Sequence, residues 1–168
     1  MIRQVLLLFA TATALAAGPG CGPQSEPKTP RVSGLDAMFE QDQLEIVSND
    51  GARNTFDVYL AVDHDQQRRG LMFVRDLPEQ SGMLFVYDDA SIHSMWMKNT
   101  YISLDIVFAR RDGTVSSVIH DTQPRSLDSL SAIEPVMYVL ELNAGVARRL
   151  NIGAGSRLIW ESDVAGRQ

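Results

Sequence analysis

Apolar residues recur at every second position in much of this chain, which is the period of a β-strand with one buried face. The alternation is strictest over residues 55–62, where four apolar side chains share one face, so a half-buried antiparallel strand is predicted there. The most apolar stretch, residues 136–142, is expected to be a central strand. The other predicted strands cover residues 44–47, 83–87, 94–98, 104–109, 114–119 and 156–160.

Turn and cap signals separate these strands and leave room for only two brief helices. Residues 49–51 and 110–113 predict hairpin turns, because Asn, Asp and Gly tolerate a positive φ. Asp63 can cap a short helix with Gln66 as its capping-box partner, and Asn143 is expected to cap a second. Together these elements predict a mainly β fold: a small mixed, mostly antiparallel β-barrel or sandwich with two short helices.

The N-terminal residues have the layout of a secretory signal. Arg3 precedes an apolar run over residues 5–17, which is too short for a comfortable membrane span. The single cysteine, Cys21, follows Gly20 shortly after this run, and the arrangement resembles the signal of a bacterial lipoprotein, whose cysteine carries the lipid. The alternative is ordinary cleavage after the run, with Cys21 as an incidental thiol.

Composition and length then suggest how the rest of the chain is organised. At 168 residues and 45% hydrophobic, the chain can form one globular core. We predict a signal peptide over residues 1–20, a flexible tether rich in proline over 21–42, a single β-rich domain over 43–162 and a C-terminal tail over 163–168. The protein is expected to be exported and anchored by lipid in the cell envelope, periplasmic or outer, or else to be secreted in soluble form.

The charge of the chain bears on its partners. The net charge is −6 and no basic run occurs, which argues against a nucleic-acid partner. The expected partners are therefore a membrane, contacted through the lipid anchor, and an unknown small molecule or envelope ligand. The oligomeric state stays open.

Charged residues fall on predicted strands that are otherwise apolar. Glu141 shares its face with Met137 and Val139, and Asp105 lies within the strand over 104–109. A buried carboxylate is costly unless it is paired or hydrogen-bonded, and Lys98 is a candidate cation. The hypothesis is a polar recess around Trp96 that binds a ligand. Its predicted members are Trp96, Lys98, Asn99, Thr100, Asp105, Glu141 and Arg69, with Arg75 as a further candidate.

Three interpretations of such a recess remain open. It is an ion-pair network that fixes strand register, a ligand pocket, or a site of acid-base catalysis for which Glu141, Asp105 and Lys98 are the candidates. No metal site is predicted, because the three histidines lack ligand spacing. No cofactor is predicted either, since glycine-rich phosphate-binding and nucleotide-binding motifs are missing from the sequence.

Several short motifs resemble a known prokaryotic family, the domain of unknown function one hundred and ninety-two. These motifs are Arg69-Gly70-Leu71-Met72, Gly82-Met83-Leu84-Phe85, Trp96-Met97-Lys98-Asn99-Thr100, Leu104-Asp105 and Val139-Leu140-Glu141-Leu142 with Gly145. They occur in order between about residues 44 and 160. The resemblance implies a single, mostly β domain, commonly exported, without an established activity. It marks Arg69, Met72, Lys98, Asn99, Asp105 and Glu141 as the positions to test.

Two hypotheses about function follow. The first is a ligand-binding or assembly module of the cell envelope, held on a tether. The alternative is a small hydrolase or lyase that acts on an envelope polymer, with Glu141 or Asp105 as general base and Lys98 stabilising negative charge. The sequence leaves open whether the protein is an enzyme.

Overall fold

A computed structural model describes residue 32 and residues 34–160 of the chain. Predicted features that fall on the remaining residues, including Cys21, lie outside the described part. The elements in chain order are β1 (Glu40–Val47), β2 (Arg53–Ala61), α1 (His64–Arg69), β3 (Ser81–Ser91), β4 (Ser94–Met95), β5 (Leu104–Ala109), β6 (Val115–Ile119), β7 (Leu130–Ser131), β8 (Val136–Asn143), α2 (Val146–Arg149) and β9 (Arg157–Ile159).

Seven strands form one mixed sheet in the order β6-β5-β8-β3-β2-β1-β9, while β4 and β7 form a separate ribbon. Neighbouring strands are antiparallel except β2 and β3, which run parallel and are connected through α1. The predicted mainly β class is confirmed, as is the central position of β8, which pairs with both β3 and β5.

The sheet curls until its two ends meet, which makes it a nearly closed barrel. Gly113, in the turn between β5 and β6, accepts a backbone hydrogen bond of 2.8 Å from Leu158 N of β9. A Cβ on Gly113 would lie 2.2 Å from the Leu158 carbonyl oxygen, and its φ is +79°. Only glycine allows the two backbones to approach this closely.

Two apolar clusters cover the two faces of the sheet. All seven strands contribute to the inner cluster, for example through Leu44, Phe56 and Leu140. The outer cluster joins β2, β3, β5 and β8 to the chain segments that cover them, including Leu71, Val74 and Met97. Strand β2 was predicted to be half-buried, but its C-terminal half is buried on both faces, because this second layer covers Tyr59 and Ala61.

Local capping was predicted correctly at one helix and wrongly at the other. Asp63 caps α1, and both hydrogen bonds of the capping box with Gln66 are present. Asn143 does not cap α2: Gly145 occupies the N-cap position, and the Asn143 amide instead donates to the carbonyls of Leu77 and Pro78. Its side chain provides hydrogen bonds to the carbonyl groups of a loop that is distant in the chain, and local sequence cannot indicate such a contact.

The ends of two predicted segments also differ. β1 begins at Glu40, before the expected domain start at residue 43, and both Leu35 and Phe39 are buried against the outer cluster. The strand predicted over residues 94–98 pairs only at Ser94 and Met95. None of the helices in the described part of the chain is long and apolar enough to cross a membrane.

Candidate functional site

Glu141 projects from β8 toward the outer layer of the domain. Its cross-strand partners are Met83 of β3 and Ile106 of β5, so the three side chains share one face. Met83 and Ile106 belong to the outer apolar cluster, which surrounds the carboxyl group with hydrocarbon. Glu141 is buried, although glutamate is almost never fully buried unless it is paired.

One oxygen of the Glu141 carboxyl group has no hydrogen-bond partner among the described residues. Its Oε2 atom is buried and accepts no hydrogen bond from any described residue. Burial raises the pKa of Glu141 to about 8, because a charged carboxylate in an apolar setting is poorly solvated. The group is therefore protonated near neutral pH and can both donate and accept a hydrogen bond.

A cavity of about 70 Å³ opens at Glu141. It lies between the outer face of the sheet and a cover made by α1, the segment after it, and the chain around β4. Its volume suffices for several water molecules or one small polar group. The residues that line it are Gln67, Arg68, Gly70, Met72, Phe85, Tyr87, Ser94, Met95, Trp96 and Glu141.

Tyr87 is the second titratable group in this cavity. Burial, and then the charge of Glu141, raise the pKa of Tyr87 to about 12. Its hydroxyl donates to Met95 Sδ over 3.7 Å, and its ring stacks on His93 with the ring centres 3.5 Å apart. These contacts fix the phenol beside Glu141, where it stays neutral.

Cations and aromatic rings alternate on the surface near the mouth of the cavity. Lys98 Nζ lies 5.0 Å from the ring centre of Trp96. Two arginines stack on rings in the same way: the Arg69 guanidinium lies 5.2 Å from the Phe73 ring centre, and the Arg75 guanidinium lies 4.7 Å from that of Tyr101. The Phe73 and Tyr101 rings meet edge to face at 6.2 Å. We call these three pairs the cationic rim.

Unusual backbone conformations hold the cationic rim in place. Phe73 and Asn99 have φ values of 68° and 57°, and Phe73 N donates to Asn99 O over 2.8 Å, which joins the segment after α1 to the turn after Trp96. Arg69 Nη1 donates to the carbonyls of Gly70 and Met72, and burial lowers the pKa of Arg69. The turn at Lys98 and Asn99 therefore contacts the segment that follows α1.

Asp105 does not join this site. On β5 it is opposite Leu142 of β8, so it projects from the inner face of the sheet, while Glu141 projects from the outer face. Its carboxylate accepts hydrogen bonds from the backbone N–H of Asp121 at 3.1 Å and of Ala147 at 2.9 Å. His120 Nδ1 lies 3.6 Å from the same group. Asp105 thus takes over the capping of α2, whose N-cap glycine has no side chain.

The predicted recess of one cation and two acids is accordingly wrong in its geometry. Lys98 is exposed and stacks on the outer side of Trp96, and Asp105 is buried on the other face of the sheet. Thr100 is buried in the turn, where its N–H donates to Met97 O over 3.0 Å. Of the predicted members, Trp96 and Glu141 line the cavity directly, while Lys98, Asn99 and Arg69 are part of the rim or its supporting turn.

Several cavity residues were not predicted. Tyr87 lies two residues after Phe85 and four after Met83 on β3, so the sequence indicates that the three side chains share a face. Only the pairing of β3 with β8 places Glu141 on that same face. Arg68 and Gln67 lie on α1, and no local signal shows which sheet face a helix this short will cover. Gln67 is held by a hydrogen bond from its amide to Val86 O at 2.9 Å.

A larger cavity of about 230 Å³ lies at the other side of the molecule, where the barrel ends meet. Arg111, Asp112, Arg157 and Trp160 are among its lining residues. Asp112 already accepts from Thr114 N over 2.9 Å, and none of the buried unpartnered side-chain atoms of the described residues belongs to this lining. We therefore regard the smaller Glu141 cavity as the candidate site. Within the described residues, no three His, Cys, Asp or Glu side chains gather into a metal-binding group.

Five chains of solved structures match this chain, and two of them are described here. A crystal structure described as a putative transcription regulator from Sinorhizobium meliloti is 38% identical, covers 72% of this chain and 94% of its own, and superposes with a TM-score of 0.71. A protein of unknown function from Novosphingobium aromaticivorans is 30% identical, covers 86% of this chain and 100% of its own, and has a TM-score of 0.72. Among curated proteins, no sequence matches this chain.

The family model described as "Uncharacterized ACR" matches residues 45–160, which span the barrel from β1 to the residue after β9. The match covers the cavity, the cationic rim and Asp105. The motifs that suggested the resemblance lie in this range, including those that carry Glu141 and Trp96. The chain belongs to the DUF192 family.

Proposed function

We propose that this protein is a ligand-binding module held in the cell envelope, and that the Glu141 cavity is its binding site. One observation carries the proposal: Glu141 lines an open cavity, and its buried Oε2 atom has no hydrogen-bond partner among the described residues. Leaving a buried polar atom unpaired costs about 1–3 kcal/mol. A ligand that provides this missing partner would recover that free energy on binding.

The envelope location is supported by the sequence of the leader. A short apolar run after Arg3, then Cys21 and a proline-rich stretch, fit export followed by lipid attachment. Membrane fractionation of cells that express the full chain, together with labelling by a radioactive fatty acid, tests this part. We expect Cys21→Ser to lose the label and to leave the membrane fraction. Equal labelling of both proteins would contradict lipid attachment.

The description of the Sinorhizobium protein does not change this proposal. A regulator that binds DNA contacts its phosphates through Lys and Arg, whereas this chain has a net charge of −6 together with a leader typical of export. A ligand in the envelope agrees better with both features.

Acid-base catalysis is the second candidate, and the protonation of Glu141 favours it. A carboxyl group whose pKa is raised to about 8 can act as a general acid near neutral pH. The partner acid suggested by the sequence, Asp105, projects from the opposite face, and no second carboxylate is among the described residues that line the cavity. Such an enzyme would have to use Glu141 alone, with Tyr87 or solvent as its proton partner.

A thermal-shift screen with the purified full chain tests the binding proposal. The panel contains small acids, amines and neutral sugars, and each compound is tested on the wild type, Glu141→Gln and Trp96→Ala. We expect at least one compound to raise the Tm of the wild type and to have a smaller effect on both variants. If every compound that shifts the Tm acts equally on all three proteins, the Glu141 cavity is not the binding site.

Incubation of the same compounds with the wild type, followed by mass spectrometry, separates the two candidates. A binding module leaves each compound unchanged. Turnover that disappears in Glu141→Gln while the Tm of the variant is preserved would instead favour the enzyme.

A further inference from the structure

We infer that the ligand is a ring-bearing carboxylate, whose charged group meets Arg68 and Glu141 in the cavity and whose ring lies on Trp96. This inference rests on the proposed function and names the chemical class that the site selects. It follows from the charge around the mouth, from the exposed aromatic rings and from the size of the cavity.

The charge near the mouth contrasts with that of the whole protein. The chain carries a net charge of −6, yet Arg68 lines the cavity and Arg69, Arg75 and Lys98 belong to the cationic rim. Within the described part of the chain, none of these four cations forms a salt bridge. The arginines that do form salt bridges with carboxylates lie elsewhere: Arg53 with Glu45, Arg110 with Glu134, Arg148 with Asp121, and Arg149 with Glu79.

Four cations without a salt bridge among the described residues favour an anionic ligand and disfavour a cationic one. A cation would have to approach past these like charges and would bind well only if Glu141 lost its proton. An anion is attracted by the rim and finds Glu141 neutral, as a donor of a hydrogen bond to a carboxylate oxygen. Charge-assisted hydrogen bonds of this kind are about twice as strong as neutral ones.

The exposed aromatic side chains indicate that the ligand carries a ring. Trp96 is 47% exposed, Phe73 53% and Tyr101 37%, although large apolar side chains usually gain from burial. Each ring already has a cation near it, so one aromatic face or edge is left for a planar ligand. Trp96 is the ring that also lines the cavity, and it therefore connects the polar interior with the rim.

The size of the cavity decides which part of the ligand enters it. A space of about 70 Å³ holds a carboxylate but is too small for a six-membered ring as well, since ligand pockets that enclose drug-sized molecules measure roughly 300–1,000 Å³. The ring must therefore stay outside, against Trp96, while the charged group enters.

Among the described residues that line the cavity, the titratable or charged groups besides Glu141 are Tyr87 on β3 and Arg68 on α1. The β5 neighbour of Glu141, Ile106, carries no charge. Tyr87 remains neutral at this pH because its pKa is raised to about 12, whereas Glu141 changes charge near pH 8. Binding of a carboxylate should therefore weaken once Glu141 ionises.

The experiment compares compounds that share a ring and carry an anionic, a neutral or a cationic substituent. One set is benzoate, benzyl alcohol and benzylamine; the other is glucuronate, glucose and glucosamine. Each is titrated against the purified full chain at about pH 7 and about pH 9, with Trp160→Phe as the background, so that Trp96 is the single tryptophan reporter. Inorganic phosphate is titrated as a charged compound without a ring.

We expect benzoate or glucuronate to bind more tightly than its neutral and cationic counterparts, and less tightly at the higher pH. Arg68→Ala and Trp96→Ala should each weaken binding by about tenfold or more, as loss of a charge-assisted contact or of a stacked ring does; for the second variant the Tm shift replaces fluorescence. Arg111→Ala is the matched control, because Arg111 is an exposed arginine that lines the other cavity. The affinity of this variant for the carboxylates should equal that of the background protein.

Three results would overturn the inference. Preferential binding of an amine or a neutral compound, in a manner that depends on Glu141, would reject the carboxylate class and leave the proposed binding site standing. Phosphate that binds as well as the ring-bearing acids would reject the role of the ring. The inference also fails if no carboxylate shows binding that depends on Arg68; if no compound at all depends on Glu141, the proposed function fails with it.

Discussion

Glu141 and Asp105 are two buried carboxyl groups on neighbouring strands whose surroundings differ. Asp105 projects from the inner face of the sheet and accepts hydrogen bonds from two backbone N–H groups. Glu141 projects from the outer face, and its Oε2 atom has no partner among the described residues. The comparison teaches that burial alone does not identify a functional acid. A satisfied buried carboxylate holds the fold together, whereas an unsatisfied one beside a cavity is available to a ligand.

Substitution of Asp105 should give the largest loss of stability. Asp105→Asn keeps the volume but replaces an acceptor by a donor that faces a backbone N–H, and it removes a negative charge from the start of α2. We expect the free energy of unfolding to fall by about 2–4 kcal/mol, as for other buried hydrogen bonds and helix caps. Urea denaturation at neutral pH measures the change.

Asp112→Asn is a matched control for that prediction. Asp112 also accepts a backbone hydrogen bond, from Thr114, but it lies exposed in a turn. Asp112→Asn should therefore lower the free energy of unfolding much less than Asp105→Asn does. Equal losses at the two positions would show that burial of Asp105 adds nothing.

Substitution of Glu141 should raise the free energy of unfolding at alkaline pH, whereas substitution of Asp105 lowers it. The folded state raises the pKa of Glu141 from 4.5 to about 8, so the folded protein binds its proton more tightly than the unfolded chain does. The free energy of unfolding should therefore fall as the pH rises from about 4.5 to about 8, and Glu141→Gln should remove this slope. Near pH 9 the variant should be more stable than the wild type by several kcal/mol, and near pH 4 about equally stable.

Denaturation of both proteins across this pH range measures the effect. Asp105→Asn should retain the decrease between about pH 4.5 and about pH 8, because Glu141 is intact in it. A Glu141→Gln protein with the same decrease as the wild type would assign the slope to another group and would weaken the contrast between the two carboxyl groups.

The smallest effect on stability is expected at Lys98. Its ammonium group is exposed and contacts the fold mainly through the Trp96 ring, a kind of contact worth about 0.5–1 kcal/mol at a surface. Lys98→Ala should change the free energy of unfolding by less than about 1 kcal/mol and still weaken the binding of benzoate. A Tm drop comparable to that of Asp105→Asn would show that Lys98 supports the fold rather than a ligand.

The local pattern of the sequence determined the elements and their faces. Period-two alternation predicted the mainly β fold, and the Asp63 and Gln66 pair predicted the cap of α1. These features depend on residues that are close along the chain. The same rule showed that Asp105 and Glu141 each lie on an otherwise apolar face.

Only the tertiary structure decided whether these faces are the same. The register of β5 against β8 places Asp105 opposite Leu142 and Ile106 opposite Glu141, and a shift of one residue would have exchanged the faces. Such pairings join residues that are far apart in the chain. The same is true of the contact between α1 and the Glu141 cavity, and of the hydrogen bond from Ala147 to Asp105. The sequence could therefore name both acids, but the strand register determines which of them is satisfied by backbone and which faces an open cavity.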